Sequence, residues 1–115
     1  MWPFSRNGAG RPRSIDVHEA FQRVRAGARL VDVRSEHEFS TAHPKGARNV
    51  PPARIARGET KLDRDDEIMV ICLSGHRSPR QAKRLMRMGF TNVANVEGGL
   101  RAWQRAGLPV KGRRR

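Results

Sequence analysis

Apolar residues along the chain recur at two spacings. Val17, Ala20, Phe21 and Val24 return at helical intervals. They follow an Asp16/Glu19 pair at capping-box spacing and precede Gly27, which predicts a helix over roughly 17–26. Ala82, Leu85, Met86 and Phe90 form a second helical stripe that opens at Ser78-Pro79 and ends at Gly89. Ser78 and Gln81 give that helix a second capping-box spacing. A last helix spans Leu100–Ala106, with Trp103 on its inner side. A short helix over Glu36–Thr41 carries Phe39 inward, and Ala53–Arg57 suits one more helical turn.

Between these lie short runs rich in β-branched residues: Leu30-Val31-Asp32-Val33, Ala47–Val50 before Pro51-Pro52, Ile68-Met69-Val70-Ile71, and Asn92–Val96. Ile68–Ile71 is apolar at every position, the pattern of a strand buried on both faces. Strands alternating with helices predict parallel pairing and right-handed crossovers, hence a small α/β sheet with helices on both faces.

At 115 residues the chain suits one domain with a single core. Residues 1–13, rich in Gly, Pro and Arg, are read as a flexible basic arm, 14–110 as the domain and 111–115 as a basic tail. Trp2 and Phe4 could pack against the domain or make a weak surface contact. No apolar stretch is long enough to span a bilayer, and the N-terminus lacks the apolar core of a secretory signal. The single cysteine excludes a disulfide framework and a multi-cysteine metal site, and it suits a reducing compartment. The expected location is therefore cytoplasmic.

The net charge of +13 is mostly arginine, spread over the arm (Arg6, Arg11, Arg13), the helix with Arg80, Lys83, Arg84 and Arg87, and the tail. Its plain reading is a solvated basic surface that attracts anions. Nucleic acid is a less favoured partner, because the chain has no Tyr and few other rings to stack on bases.

The candidate chemistry sits where the Ile68–Ile71 strand runs into Cys72-Leu73-Ser74-Gly75-His76-Arg77-Ser78. A loop between a strand's C-terminal end and a helix N-terminus is where α/β sheets bind ligands. Amides of Leu73 through Arg77 turned inward would form an anion nest and favour the thiolate, which is the nucleophile. Gly75 permits unusual backbone angles, and the guanidinium of Arg77 is shaped for oxyanions. The bland alternative is a small buried hydrophobe at Cys72. His76 is placed to point outward, which suits contact with a donor or acceptor better than general-base work. His18, His37 and His43 have no partners at metal-ligand spacing. Asp32 and Arg34 occupy the matching place after the neighbouring strand. Asp32 is expected to accept bonds from the adjacent loop and Arg34 to pair with Glu38.

Taken in order, Leu30-Val31-Asp32-Val33-Arg34, Glu38-Phe39, His43, Asn49-Val50-Pro51, Cys72–Arg77 and Glu97-Gly98-Gly99-Leu100-Arg101-Ala102-Trp103 resemble a single-domain rhodanese, over about Ile15 to Pro109. The resemblance implies a three-layer rhodanese-like fold, with a small central parallel sheet flanked by helices. It also implies a sulfurtransferase in which Cys72 attacks the outer sulfur of a donor such as thiosulfate, becomes a persulfide, and passes sulfur to cyanide or to a thiol or protein acceptor. Leu73, Ser74, Gly75, His76, Arg77 and Ser78 would bind the donor, Arg77 orienting it or bracing the loop, with Asp32 and Arg34 in support and no cofactor or metal required. The stretch Ala42-His43-Pro44-Lys45-Gly46-Ala47 departs from the family's usual turn. Two rival functions stay open: a non-catalytic binding module, whose usual sign is a lost cysteine, and a phosphatase or arsenate reductase of the same fold. The latter carry one more residue between cysteine and arginine than the four found here.

Overall fold

The computed structural model describes residues 11–113. Five parallel strands form one sheet in the order β1-β6-β5-β2-β4. They are β1 (Arg13–Ile15), β2 (Arg29–Asp32), β4 (Ala47–Asn49), β5 (Glu67–Ile71) and β6 (Asn92–Val96). A second, antiparallel pair joins β3 (His43–Pro44) to β7 (Val110–Lys111). The helices are α1 (Val17–Arg25), α2 (Glu36–Thr41), α3 (Pro52–Ala56), α4 (Ser78–Arg87) and α5 (Gly99–Arg105). None of the helices among the described residues is long and apolar enough to cross a membrane.

Side chains alternate across the sheet with the strand period of two. Leu30, Met69, Ile71, Ala94 and Val96 face α1 and α5, where Ala20, Leu100 and Trp103 complete one core. Val31, Ile68, Val70 and Val93 face α3 and α4 and pack on Ile55, Ala82, Leu85 and Met86. Buried on both faces, β5 sits at the centre of the sheet with β2 and β6 beside it in parallel register. Trp103 is fully buried, donates Nε1–H to Pro109 O at 2.8 Å, and meets Phe21 edge-on at 5.9 Å.

Several expectations are corrected. β1 was not foreseen: Arg13, assigned to the arm, begins an edge strand paired with Ala94–Val96, and of its three residues only Ile15 is buried. The assigned tail begins inside β7 at Lys111, and Arg113 N–H donates to Ser40 O at 2.9 Å. Trp2, Phe4, Arg6, Arg114 and Arg115 lie outside the described residues. The unusual Ala42–Ala47 stretch supplies β3 and then turns through Gly46, at φ +91°, into β4. Phe39 is half-buried rather than inward, since α2 buries no residue fully. Its ring stacks on His43 with centroids 3.7 Å apart.

Arg34 does not pair with Glu38. It is 3 % exposed and turns back along its own strand, so its nearest carboxylate is Asp32, itself 0 % exposed. Arg34 Nε donates to Asp32 Oδ1 at 3.0 Å, and NH2 donates to Asp32 Oδ2 at 2.8 Å and to Ala42 O at 2.6 Å. Arg34 N–H also donates to Asp32 Oδ1, so Asp32 accepts from its own strand end rather than from the adjacent loop. Removing one member of a buried ion pair leaves the other charge uncompensated. Asp32→Ala is therefore expected to cost about 3–5 kcal/mol, read as a lower urea midpoint, while Asp32→Asn loses less. An Asp32→Ala midpoint equal to the native one would contradict this placement.

Candidate active site

The strand β5 ends at Ile71, which places Cys72 at the lip of the sheet, and α4 begins only six residues later. The chain must therefore turn tightly, and Gly75 does so at φ +92°. That turn aims Gly75 N–H at Cys72 Sγ (3.1 Å) and Arg77 N–H at the same atom (3.4 Å). The Ser78 amide and hydroxyl also favour the anion of that sulfur. Burial pushes the Cys72 thiol up, but the four donors outweigh it, and the net result is a thiol held below its ordinary range. Cys72 is 1 % exposed, so its acidity comes from fixed donors rather than from water.

The rear of the loop is fixed by α5. Leu100 N–H donates to Cys72 O at 2.8 Å, and Arg101 N–H donates to Leu73 O at 3.0 Å. This approach is possible only because Gly99 has no side chain. A Cβ there, already at φ +60°, would lie 2.5 Å from Cys72 O and 2.6 Å from Leu73 C and O. The Gly98-Gly99 pair, read from sequence only as a tight turn, is thus a part of the site.

Of the loop amides expected to cradle an anion, Gly75 and Arg77 reach the sulfur. Leu73 instead packs its side chain on the α1/α5 core. Ser74 Oγ and His76 Nδ1 bond to each other at 2.8 Å, and His76 is exposed, as expected. Ser78 does not cap α4 with Gln81. It lies inside the first turn, fully buried, and its hydroxyl turns to Cys72 and to Asn95 Oδ1. One hydroxyl proton serves only one acceptor at a time. Turning the Asn95 amide end for end leaves every heavy atom in place, lets its N–H donate to Ser78, and frees the hydroxyl proton for the sulfur. Asn95 was missed because a polar residue inside a strand pattern carries no signal of what it faces.

Arg77 is exposed and its guanidinium is engaged: NH1 and NH2 donate to Glu38 Oε1 and Oε2, both at 3.0 Å. Glu38 in turn completes a capping box with Ser35, a spacing legible in the sequence but not noticed there. Arg77 therefore braces the loop against α2. Asp32 and Arg34 stand at the end of the adjacent strand, and neither donates to the sulfur. Among the described residues no group of three or more His, Cys, Asp and Glu side chains is placed to hold a metal ion.

Known proteins share this arrangement of elements. The family described as Rhodanese-like domain matches residues 16–106. The chain is 37 % identical over 112 residues to thiosulfate sulfurtransferase 16, chloroplastic, of Arabidopsis thaliana, covering 87 % of this chain and 93 % of that one. It is 35 % identical over 98 residues to thiosulfate sulfurtransferase GlpE of Haemophilus influenzae, covering 85 % and 93 %. Among solved structures it is similar to the rhodanese-related protein from Thermoplasma volcanium, with a TM-score of 0.78, 30 % identity, and coverage of 86 % and 97 %.

The Arg77–Glu38 brace has a pH signature. The hydrogen bonds from Arg77 are the main cause that lowers Glu38 from its ordinary 4.5 to about 2. A carboxylate depressed on folding contributes stability that is full above the unfolded value and lost as pH falls through the folded one. The contribution should fade between about pH 4.5 and pH 2. Both side chains are partly exposed, so it amounts to about 1 kcal/mol or less. Denaturant titrations of native protein and Glu38→Gln should differ at neutral pH and converge at the acid end. A gap that persists unchanged to pH 2 would contradict the pair.

Proposed function

The chain belongs to the rhodanese-like domain family, and we propose that it is a sulfurtransferase that carries sulfane sulfur on Cys72. The observation that carries the reading is the convergence of the Gly75 and Arg77 amides on Cys72 Sγ, with Ser78 beside them.

The thiolate of Cys72 attacks the outer sulfur of a donor such as thiosulfate. A new S–S bond forms, the donor's own S–S bond breaks, and sulfite leaves with the electron pair. The persulfide left on Cys72 is anionic at its outer sulfur, and the loop amides that held the thiolate stand within the same bowl to meet that charge. An acceptor, cyanide in the assay or a thiol, then attacks the outer sulfur and returns Cys72 to thiolate. No general base is invoked, because the loop amides and Ser78 favour the thiolate over the thiol. The exposed, Ser74-bonded His76 is left to contact donor or acceptor. A sulfur sunk to 1 % exposure favours a slim donor whose reactive atom is terminal.

The phosphatase reading is weaker on two counts. Four residues separate Cys72 from Arg77, where the phosphatases of this fold have a wider loop. Arg77 also gives both nitrogens of its fork to Glu38 and so does not clamp a tetrahedral oxyanion. The binding-module reading has the opposite difficulty, since a cysteine surrounded by aimed donors is more than packing needs.

Intact mass of the protein before and after thiosulfate tests the reading. The expected result is a gain of one sulfur atom that cyanide or dithiothreitol reverses and that Cys72→Ser abolishes. No gain with thiosulfate or any other sulfane donor would overturn it.

A further inference from the structure

A one-sided run of charge lies beside the Cys72 loop. From Ile68 to Val96 the sequence contains no Asp or Glu, whereas α4 alone carries Arg80, Lys83, Arg84 and Arg87. These four recur at i, i+3, i+4 and i+7 and so form one ridge on the helix face turned away from the sheet, which holds Gln81, Ala82, Leu85 and Met86. Among the described residues no ion pair neutralises any of them. They line a depression of about 350 Å³. It shares Arg80 and Lys83 with a groove of about 320 Å³ between α4 and the edge strand β1, lined also by Arg11, Ser14, Pro79 and Asn95.

The groove borders the active loop through Pro79 and Asn95. Asn95, in its wall, is hydrogen-bonded to Ser78, and Ser78 stands beside the Cys72 sulfur. The ridge leads away from that point along the ten residues of α4, about 15 Å. A small donor anion needs neither this length nor so many cations. A macromolecule laid along α4 would have one end over Cys72.

We propose that this groove and ridge are the docking surface for a protein sulfur acceptor whose reactive thiol is flanked by carboxylate side chains. The inference rests on the sulfurtransferase reading and names the partner of the same site. A thiol-bearing partner is favoured over nucleic acid because, among the described residues, the groove walls hold no aromatic side chain for a base to stack on, and because the sulfur must pass to a nucleophile. In the transfer the acceptor thiolate attacks the outer sulfur of the Cys72 persulfide and a new S–S bond forms on the acceptor. The bond to Cys72 Sγ breaks, and its electron pair remains there as thiolate.

The test compares two variants that lose equal charge in different places. Arg80→Gln/Lys83→Gln removes the two cations common to both depressions, and Lys45→Gln/Arg105→Gln removes two exposed cations elsewhere, on the turn before β4 and on α5. Each protein is loaded with excess thiosulfate and mixed with a peptide of one cysteine flanked by glutamates, or the same peptide with glutamines. Expected for the acidic peptide is a transfer rate at low salt lower by about tenfold in Arg80→Gln/Lys83→Gln. It should be nearly unchanged in the second variant, and the difference should close as salt rises. The glutamine peptide should not distinguish the variants.

A second arm does not depend on sulfur chemistry. Anisotropy of a labelled acidic peptide with serine in place of cysteine should show weaker binding to the Arg80→Gln/Lys83→Gln protein alone. If loading fails but this binding difference stands, the docking surface holds and only the sulfur reading falls. Equal effects of both variants, no preference for the acidic peptide, or site-dependent binding of a labelled duplex RNA in place of the peptide would each overturn the proposal.

Discussion

Burying an anion is unfavourable unless fixed donors meet it, and the region around Cys72 is arranged to that requirement. The donors are mostly backbone amides, so their positions depend on the path of the chain rather than on a choice of side chain. That path is held at three points. The strand β5, buried on both faces, delivers Cys72 to the edge of the sheet. The amides of Leu100 and Arg101 grip the carbonyls of Cys72 and Leu73. The Arg77–Glu38 pair ties the far side of the loop to α2. Losing any one of them would loosen the geometry in which Gly75, Arg77 and Ser78 face the sulfur.

These three supports come from separate stretches of sequence, which governs how much of the site was legible in advance. The strand, the cysteine, the glycine of the turn and the start of α4 are local, and their pattern is strong. The edge strand β1 was invisible because it buries a single residue and so shows no period. Arg77 took the partner expected of Arg34 for a similar reason. Spacing places Arg34 and Glu38 on neighbouring turns, but it cannot show that burial drives Arg34 onto Asp32 and leaves Glu38 free to meet Arg77 from across the fold. The need for glycine at position 99 is likewise a matter of two backbones approaching closely, and no one-dimensional pattern reports that. Where the sequence was read by motif, as for the Ser78–Gln81 spacing, tertiary contacts to Cys72 and Asn95 outweighed the local preference.

Charge in this protein is likewise divided by place. The carboxylates leading into β5, Asp63, Asp65 and Asp66 before it and Glu67 as its first residue, lie at the end of that strand remote from Cys72, and Asp66 and Glu67 face Arg29 and Arg23. Glu38 is bound to Arg77. Among the described residues, what remains along α4 is cationic and unneutralised, and it adds a positive field along that helix.

The central claim is that the loop and Ser78 favour the thiolate of Cys72 over its thiol. The chain has one cysteine and no tyrosine, so thiolate absorbance in the ultraviolet can be titrated with pH without a competing phenolate. The account predicts a midpoint below that of an ordinary thiol in the native protein, moved upward in Ser78→Ala. A native midpoint at or above the ordinary value, or one that Ser78→Ala leaves in place, would contradict it.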